Sequence, residues 1–178
     1  MKRFSPAIFS GVFLGIFLFV PGLHAQVSTA ASATAILSPD GAAKLAPPTV
    51  FFRGQSASLQ LRNTYGLHFV DNTILLAGLV DSSGYSTGIQ QKYQGYILSE
   101  VPLDFAGKTL PAGAYGFGFI APDAFTVMDL GAHEVLRAHW KSDAAIQHPR
   151  PFQIVSGARP DTFLFYEGRR YVSFQRAK

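Results

Sequence analysis

From Thr49 onward, apolar and polar residues come in short runs, cut by turn dipeptides roughly every eight to twelve residues. Ser58-Leu59-Gln60-Leu61-Arg62 alternates with period two and predicts a strand with one wet face. Ile74 to Val80 is apolar almost throughout and predicts a central strand covered on both faces. In PAGAYGFGFI, Pro111 to Ile120, a strand reading puts Tyr115, Phe117 and Phe119 on one face and Gly116, Gly118 and Ile120 on the other. These runs are rich in β-branched and aromatic residues, which suit a pleated, half-buried surface. Asp71-Asn72, Ala106-Gly107, Pro122-Asp123 and Glu167-Gly168 each predict a tight antiparallel hairpin. Only Gln90 to Ser99 and Ser142 to His148 read as short helices. The pattern predicts an all-β chain: a single antiparallel β-sandwich or flattened barrel over residues 49–178, with Tyr115, Phe117, Phe119, Val127 and Trp140 in its core.

Before Thr49 the pattern is different. Lys2 and Arg3 precede an apolar run from Ile8 to Val20, a Pro21-Gly22 break and a polar end at Leu23-His24-Ala25, the three parts of a secretory signal over residues 1–25. The run is shorter than the roughly 20 residues a membrane-crossing helix needs, so cleavage after Ala25 is expected to leave no membrane span. Residues 26–48 are rich in Ala, Ser, Thr and Pro, with no sustained period, and read as a flexible linker, within which Ala35 to Leu37 has the makings of a short strand. A periplasmic or extracellular destination follows from this start.

The chain has 178 residues and a formal charge of +4, and Lys2 and Arg3 leave with the signal, so the remainder is nearly neutral. That balance argues against nucleic acid as a partner. The chain has no cysteine, so a lipoprotein-type anchor on a Cys thiol is excluded. A core of this size manages without disulfides.

Three glycines within six residues raise the question of a phosphate loop. A dinucleotide fingerprint has the order G-x-G-x-x-G between a strand and a helix, whereas Gly113, Gly116 and Gly118 give G-x-x-G-x-G and a second alternating run follows. The glycines therefore read as places where another layer approaches the strand closely or where the sheet coils sharply. No cofactor is expected. The stretch Gly107-Lys108-x-Leu110-Pro111-Ala112-Gly113-x-Tyr115, followed by an alternating strand at Phe125 to Leu130, resembles a family of exported bacterial β-sandwich proteins of unknown function. The resemblance covers residues 107–130 and implies an antiparallel sandwich in the cell envelope, with no catalytic residues to carry over.

Gly84-Tyr85-Ser86-Thr87-Gly88 matches the G-x-S-x-G nucleophile elbow, and Asp129 with His133 or His139 follows in the hydrolase order. An elbow needs the serine between a parallel strand and a buried helix, a context that Asp81-Ser82-Ser83-Gly84 and the following Gly95 do not supply; a mobile surface loop accounts for the same residues. Asp129, His133, Glu134, His139 and Asp143 are also the densest set of potential metal ligands. On a straight strand the two histidines would stand about 20 Å apart, with Arg137 between them, so the reading is a solvated face rather than a metal site. Tyr85, Tyr93 and Tyr96 form a candidate carbohydrate platform, and Tyr166, Arg169, Arg170, Tyr171 and Arg176 a candidate site for acidic glycans or phosphates, with Arg169 and Tyr171 on one face of the strand. The expected function is binding or structural interaction without catalysis, the partner being an envelope protein or a glycan. Two alternatives are a serine hydrolase using Ser86 and a barrel holding a small apolar ligand among its many phenylalanines.

Overall fold

The computed structural model describes residues 33–178. Fourteen strands and two short helices follow in the order β1 (Ala35–Leu37), α1 (Pro39–Ala43), β2 (Thr49–Phe52), β3 (Gln55–His68), β4 (Ile74–Val80), α2 (Thr87–Gln90), β5 (Gly95–Ser99), β6 (Leu103–Phe105), β7 (Lys108–Leu110), β8 (Gly113–Ile120), β9 (Ala124–Met128), β10 (Glu134–His139), β11 (Lys141–Ser142), β12 (Gln153–Ser156), β13 (Thr162–Glu167) and β14 (Arg170–Arg176). Two antiparallel sheets pack face to face. The first runs β1-β3-β4-β5-β8-β9-β10, with β2 paired to β3; the second runs β12-β13-β14-β6-β7, with β11 paired to β14. This is the β-sandwich that the alternation predicts. No helix among the described residues is long and apolar enough to cross a membrane.

The turns form where the dipeptides sit, each for a local reason. Ala106 and Gly107 both take positive φ between the paired residues Phe105 and Lys108, the two-residue geometry that suits strand twist. Asn72 takes positive φ beside Asp71, whose Oδ1 accepts from the Thr73 hydroxyl at 2.6 Å. The last hairpin turns one residue later than Glu167-Gly168 suggests: Glu167 pairs with Arg170, so Gly168 and Arg169 make the turn. A further tight turn, Arg53-Gly54, joins β2 to β3 with positive φ at both positions.

The core between the sheets is largely aromatic. Phe105, Phe117, Phe119, Phe125, Phe152, Phe163, Phe165 and Phe174 are all buried there, joined by Leu67, Leu75, Ile97 and Val127. Tyr115 and Trp140 are only half-buried, because each has a polar tip to satisfy: the Tyr115 hydroxyl donates to Pro111 O at 3.1 Å and Trp140 Nε1 to Ile120 O at 3.1 Å. At β5 a side chain at Gly95 would overlap the Phe117 ring, so the ring fills space the glycine leaves.

Three stretches differ from the periodicity reading. Ala35–Leu37 pairs with Gly66–His68 as β1, and Ser38 caps α1, whose Ala42 is buried, so the stretch before Thr49 is not linker throughout; residues 26–32 lie outside the described residues, as does the signal. Pairing and burial override the low apolar content there. Gln90 to Ser99 is not a helix: α2 ends at Gln90, and Gly95–Ser99 is a strand between β4 and β8, bonded on both sides. Ser142 to His148 is irregular after β11, held by Asp143 N–H to Arg169 O at 2.8 Å.

Two bulges shape the first sheet. In β3, the register slips between Leu59 and Thr64, where Gln60 Nε2 donates to Val80 O at 3.2 Å and the Thr64 hydroxyl to Gln60 O at 3.0 Å. The slip swings the β2–β3 hairpin across the outer face of the sheet. In the edge strand β10 the register shifts between Glu134 and Leu136. Glu134 and Arg137 thereby share a face and form a two-pronged ion pair at 2.8 and 2.6 Å. Lys108 Nζ donates to the Arg137 carbonyl at 2.7 Å, linking the edges of the two sheets.

Phe117→Ala is expected to lower the unfolding free energy by about 3 to 5 kcal/mol, as deletion of a buried ring does, read as a lower denaturant midpoint. Gly118→Ala, whose new Cβ would overlap the Lys92 carbonyl, is expected to destabilise by about 1 to 3 kcal/mol. An unchanged midpoint in either variant would contradict the assigned faces of β8.

Candidate functional site

The glycine-rich strand supports a second layer on its outer side. After Val80 the chain runs through 81–94 over the outer face of the first sheet, where Tyr85, Tyr93, Val50, Phe52, Leu59 and Met128 form a smaller core. Tyr93 stacks on Phe52 with ring centroids 4.0 Å apart and meets Tyr85 edge-on at 5.3 Å. A Cβ at Gly116 would stand 2.7 Å from the Phe52 ring and 2.8 Å from that of Tyr93. Close approach of a layer, one of the two readings the sequence leaves open, is thus what Gly116 and Gly118 permit.

Ser86 sits on this layer. It is exposed, precedes the four-residue α2 in an extended conformation, and its hydroxyl makes no hydrogen bond among the described residues. The loop around it is tied down: the Tyr85 hydroxyl lies 3.0 Å from both Phe52 O and Gln55 O, Gln90 Nε2 donates to Tyr85 O at 2.7 Å, and Asp81 Oδ1 accepts from Ser83 N–H at 3.0 Å. The mobile loop expected from Ser and Gly content gives way to one anchored by a buried tyrosine. The strand before it, β4, is antiparallel to both neighbours, and no buried helix follows.

The histidines stand at opposite ends of β10. His133 Nδ1 lies 3.0 Å from Asp129 Oδ2, and Asp129 Oδ1 accepts from the backbone N–H groups of Gly131 and His133, both at 2.9 Å. The His133 N–H and ring hold the Asp129 carboxyl below the usual carboxylate range. His139 Nδ1 pairs with Asp123 instead, at 2.8 Å. Asp129 closes its own turn, Asp123 ties down the far end of β10, and among the described residues neither histidine bonds to Ser86. Among the described residues no three His, Asp or Glu side chains come together as a metal-binding group.

The tyrosines read as a platform are largely interior. Tyr85 and Tyr93 are buried and Tyr96 is half-buried; burial pushes all three hydroxyls up from their ordinary pKa. The Tyr93 hydroxyl has no partner among the described residues. In β14 the alternation divides the late cationic and aromatic residues. The Arg170 guanidinium lies over Phe119 and Trp140, 5.6 and 5.7 Å from the ring centres, donates to Phe119 O at 3.0 Å and pairs with Glu167, whose carboxyl burial pushes up against the pull of Arg170. Arg176 lies over Phe69 at 5.4 Å and pairs with Asp71 at 2.7 Å. Both cap the aromatic core. Arg169 Nε donates to Ile146 O at 2.9 Å, fixing the irregular segment. Tyr171 faces outward with its ring 5.0 Å from that of Tyr166. The Tyr166 hydroxyl donates to Asp143 at 2.9 Å and is pushed up to about 12 by burial and then by that carboxylate.

The surface of the described residues also carries depressions. A cleft of about 640 Å³ at one end of the sandwich is lined by Phe69, Val70, Phe163, Asp161, Arg176 and Lys178. A groove of about 260 Å³ on the second sheet is lined by Asp104, Arg159, Thr162, Ser173 and Gln175. Sequence reasoning missed the groove, since Asp104 reaches Gln175 only through the β6–β14 pairing; its one signal was the outward alternation of Tyr171, Ser173 and Gln175. No family model, curated protein or solved structure matches the chain.

The Arg176 hydrogen bond, with Thr73, holds Asp71 well below the usual carboxylate range. A carboxyl depressed in the folded state stabilises above its unfolded pKa of about 3.9 and loses that contribution as pH falls through the folded value. The difference in Tm between the parent and Asp71→Asn is therefore expected near neutral pH and should shrink on acidification below about pH 4. A difference that grows on acidification would contradict the pairing.

Proposed function

We propose that this chain is an exported β-domain that acts by binding or structural contact in the cell envelope or outside the cell, without catalysis of its own. Support for export comes from the charged start, apolar run and Leu23-His24-Ala25 end. The observation that carries the binding reading is the destination of the aromatic residues. Phe105, Phe117, Phe125, Phe152, Phe165 and Phe174 lie ring to ring between the sheets, with centroids 4.8–6.3 Å apart. An apolar ligand held between the sheets would have to displace them. Catalysis by Ser86 would need a base at its hydroxyl, and among the described residues neither His133 nor His139 hydrogen-bonds to it: each pairs through Nδ1 with an aspartate, and no ring nitrogen reaches Ser86. Contact through the surface, with a glycan or an envelope protein, is what these side chains support, and the resemblance over 107–130 points the same way.

The exported protein is expected to begin at Gln26, open or cyclised, when its mass is measured. Retention of Met1 would overturn the export reading. The purified mature chain should not react with a fluorophosphonate probe and should be retained on immobilised envelope polysaccharide or envelope protein. Labelling that Ser86→Ala abolishes would replace binding by hydrolysis, and saturable uptake of a fluorescent fatty acid would favour the ligand-holding barrel.

A further inference from the structure

On β14, Tyr171, Ser173 and Gln175 point away from the core, while Val172 and Phe174 between them are buried in it. Register carries this outward face across three strands: Gln175 stands beside Thr162 of β13 and Asp104 of β6, and Tyr171 beside Tyr166. The groove of about 260 Å³ opens here. Its wall is set in place by short backbone contacts. Asp104 Oδ1 accepts from the Gly107 N–H at 2.7 Å, and the Thr162 hydroxyl donates to Arg159 O at 2.6 Å. The other Asp104 oxygen, the Ser173 hydroxyl and the Gln175 amide make no hydrogen bond among the described residues.

We propose that this groove binds a neutral oligosaccharide, with Tyr171 as a stacking surface farther along the same strand; the proposal rests on the binding reading above and names its ligand class. The choice follows from the hydrogen-bonding chemistry. Phosphate or sulfate would present acceptors to a groove that holds the Asp104 carboxylate, which repels them. A metal cation would meet Arg159 on the same lining, and an apolar ligand would leave an acid, a hydroxyl and an amide without water or partner. A sugar hydroxyl both donates and accepts, so neighbouring hydroxyls can give to Asp104 while exchanging bonds with Gln175 and Ser173. Arg159 offsets the charge of Asp104, which favours an uncharged occupant. Gln175 and Tyr171 are four residues apart on one strand face, roughly 13 Å at strand rise, a length suited to a short chain of sugar rings rather than a monosaccharide.

The test is titration of the isotope-labelled mature chain with a gluco-tetrasaccharide, a chito-tetrasaccharide and a polyuronate tetramer, followed by amide chemical shifts. At least one neutral tetramer is expected to shift Asp104, Ser173, Gln175 and Tyr171 together, with affinity falling at least about tenfold in Asp104→Asn and Gln175→Ala. Ser173→Trp, an exposed substitution that fills the groove, should abolish binding at unchanged Tm. The proposal is overturned if neither neutral tetramer binds, if only the polyuronate binds, or if the shifts map elsewhere or survive Ser173→Trp. Retention on envelope protein with no response to these sugars would leave the binding reading standing and remove this one; failure of both would remove both.

Discussion

The ring of Phe117 lies where any side chain at position 95 would have to be, and the rest of the sandwich is arranged around that exclusion. Because Gly95 gives up its Cβ, β5 and β8 can pair with a full aromatic ring between their facing positions, and Phe125, Phe152 and Phe165 then gather on it. The reverse face of β8 repeats the device with opposite sense: Gly116 and Gly118 withdraw so that Phe52, Tyr93 and the Lys92 backbone come down on the strand. One strand thus serves two cores, aromatic rings on one side and, at Gly116 and Gly118, no side chain on the other. Close-packed interiors respond to single methyl groups, so the glycines constrain the fold as firmly as the phenylalanines.

Much of this was legible in the sequence because it is local. Alternation in Tyr115 to Ile120, the continuous apolar run at Ile74 to Val80 and the turn at Ala106-Gly107 depend only on side-chain period and allowed φ, which neighbours alone decide. What stayed hidden depends on distant partners. Ala35–Leu37 has the makings of a short strand in the sequence, but its partner, the far end of β3, does not follow from the sequence. Gly95–Ser99 contains a glycine and follows a glutamine-rich run, yet ladders on both sides make it extended. The candidate site divides in the same way: the outward face of Tyr171 could be read from alternation, while the meeting of Asp104 with Gln175 requires knowing that β6 pairs with β14.

Charge in this molecule is used mainly to close ends. Arg170 and Arg176 come from one strand, and each spreads its guanidinium on an aromatic ring at the margin of the core while an acid holds its other side. A guanidinium is weakly hydrated and planar, so it covers a ring at small desolvation penalty, which an ammonium would not. The same residues that a composition count offers as ligands for anions are thereby committed, and the hydrogen-bonding groups left over lie on the opposite face of the strand.

The extra residue in β10 bears on how copies of this chain coexist. A sheet ends in a row of unmatched amides and carbonyls that any other extended segment can join, and a protein without cysteine has no covalent lock against such exchange. Here the row is interrupted: the bulge breaks its spacing, the Glu134–Arg137 pair stands beside it, and the Lys108 ammonium already holds one of its carbonyls. A second chain approaching that edge would meet a mismatched register and a fixed positive charge. Strand addition at the β10 edge is therefore disfavoured.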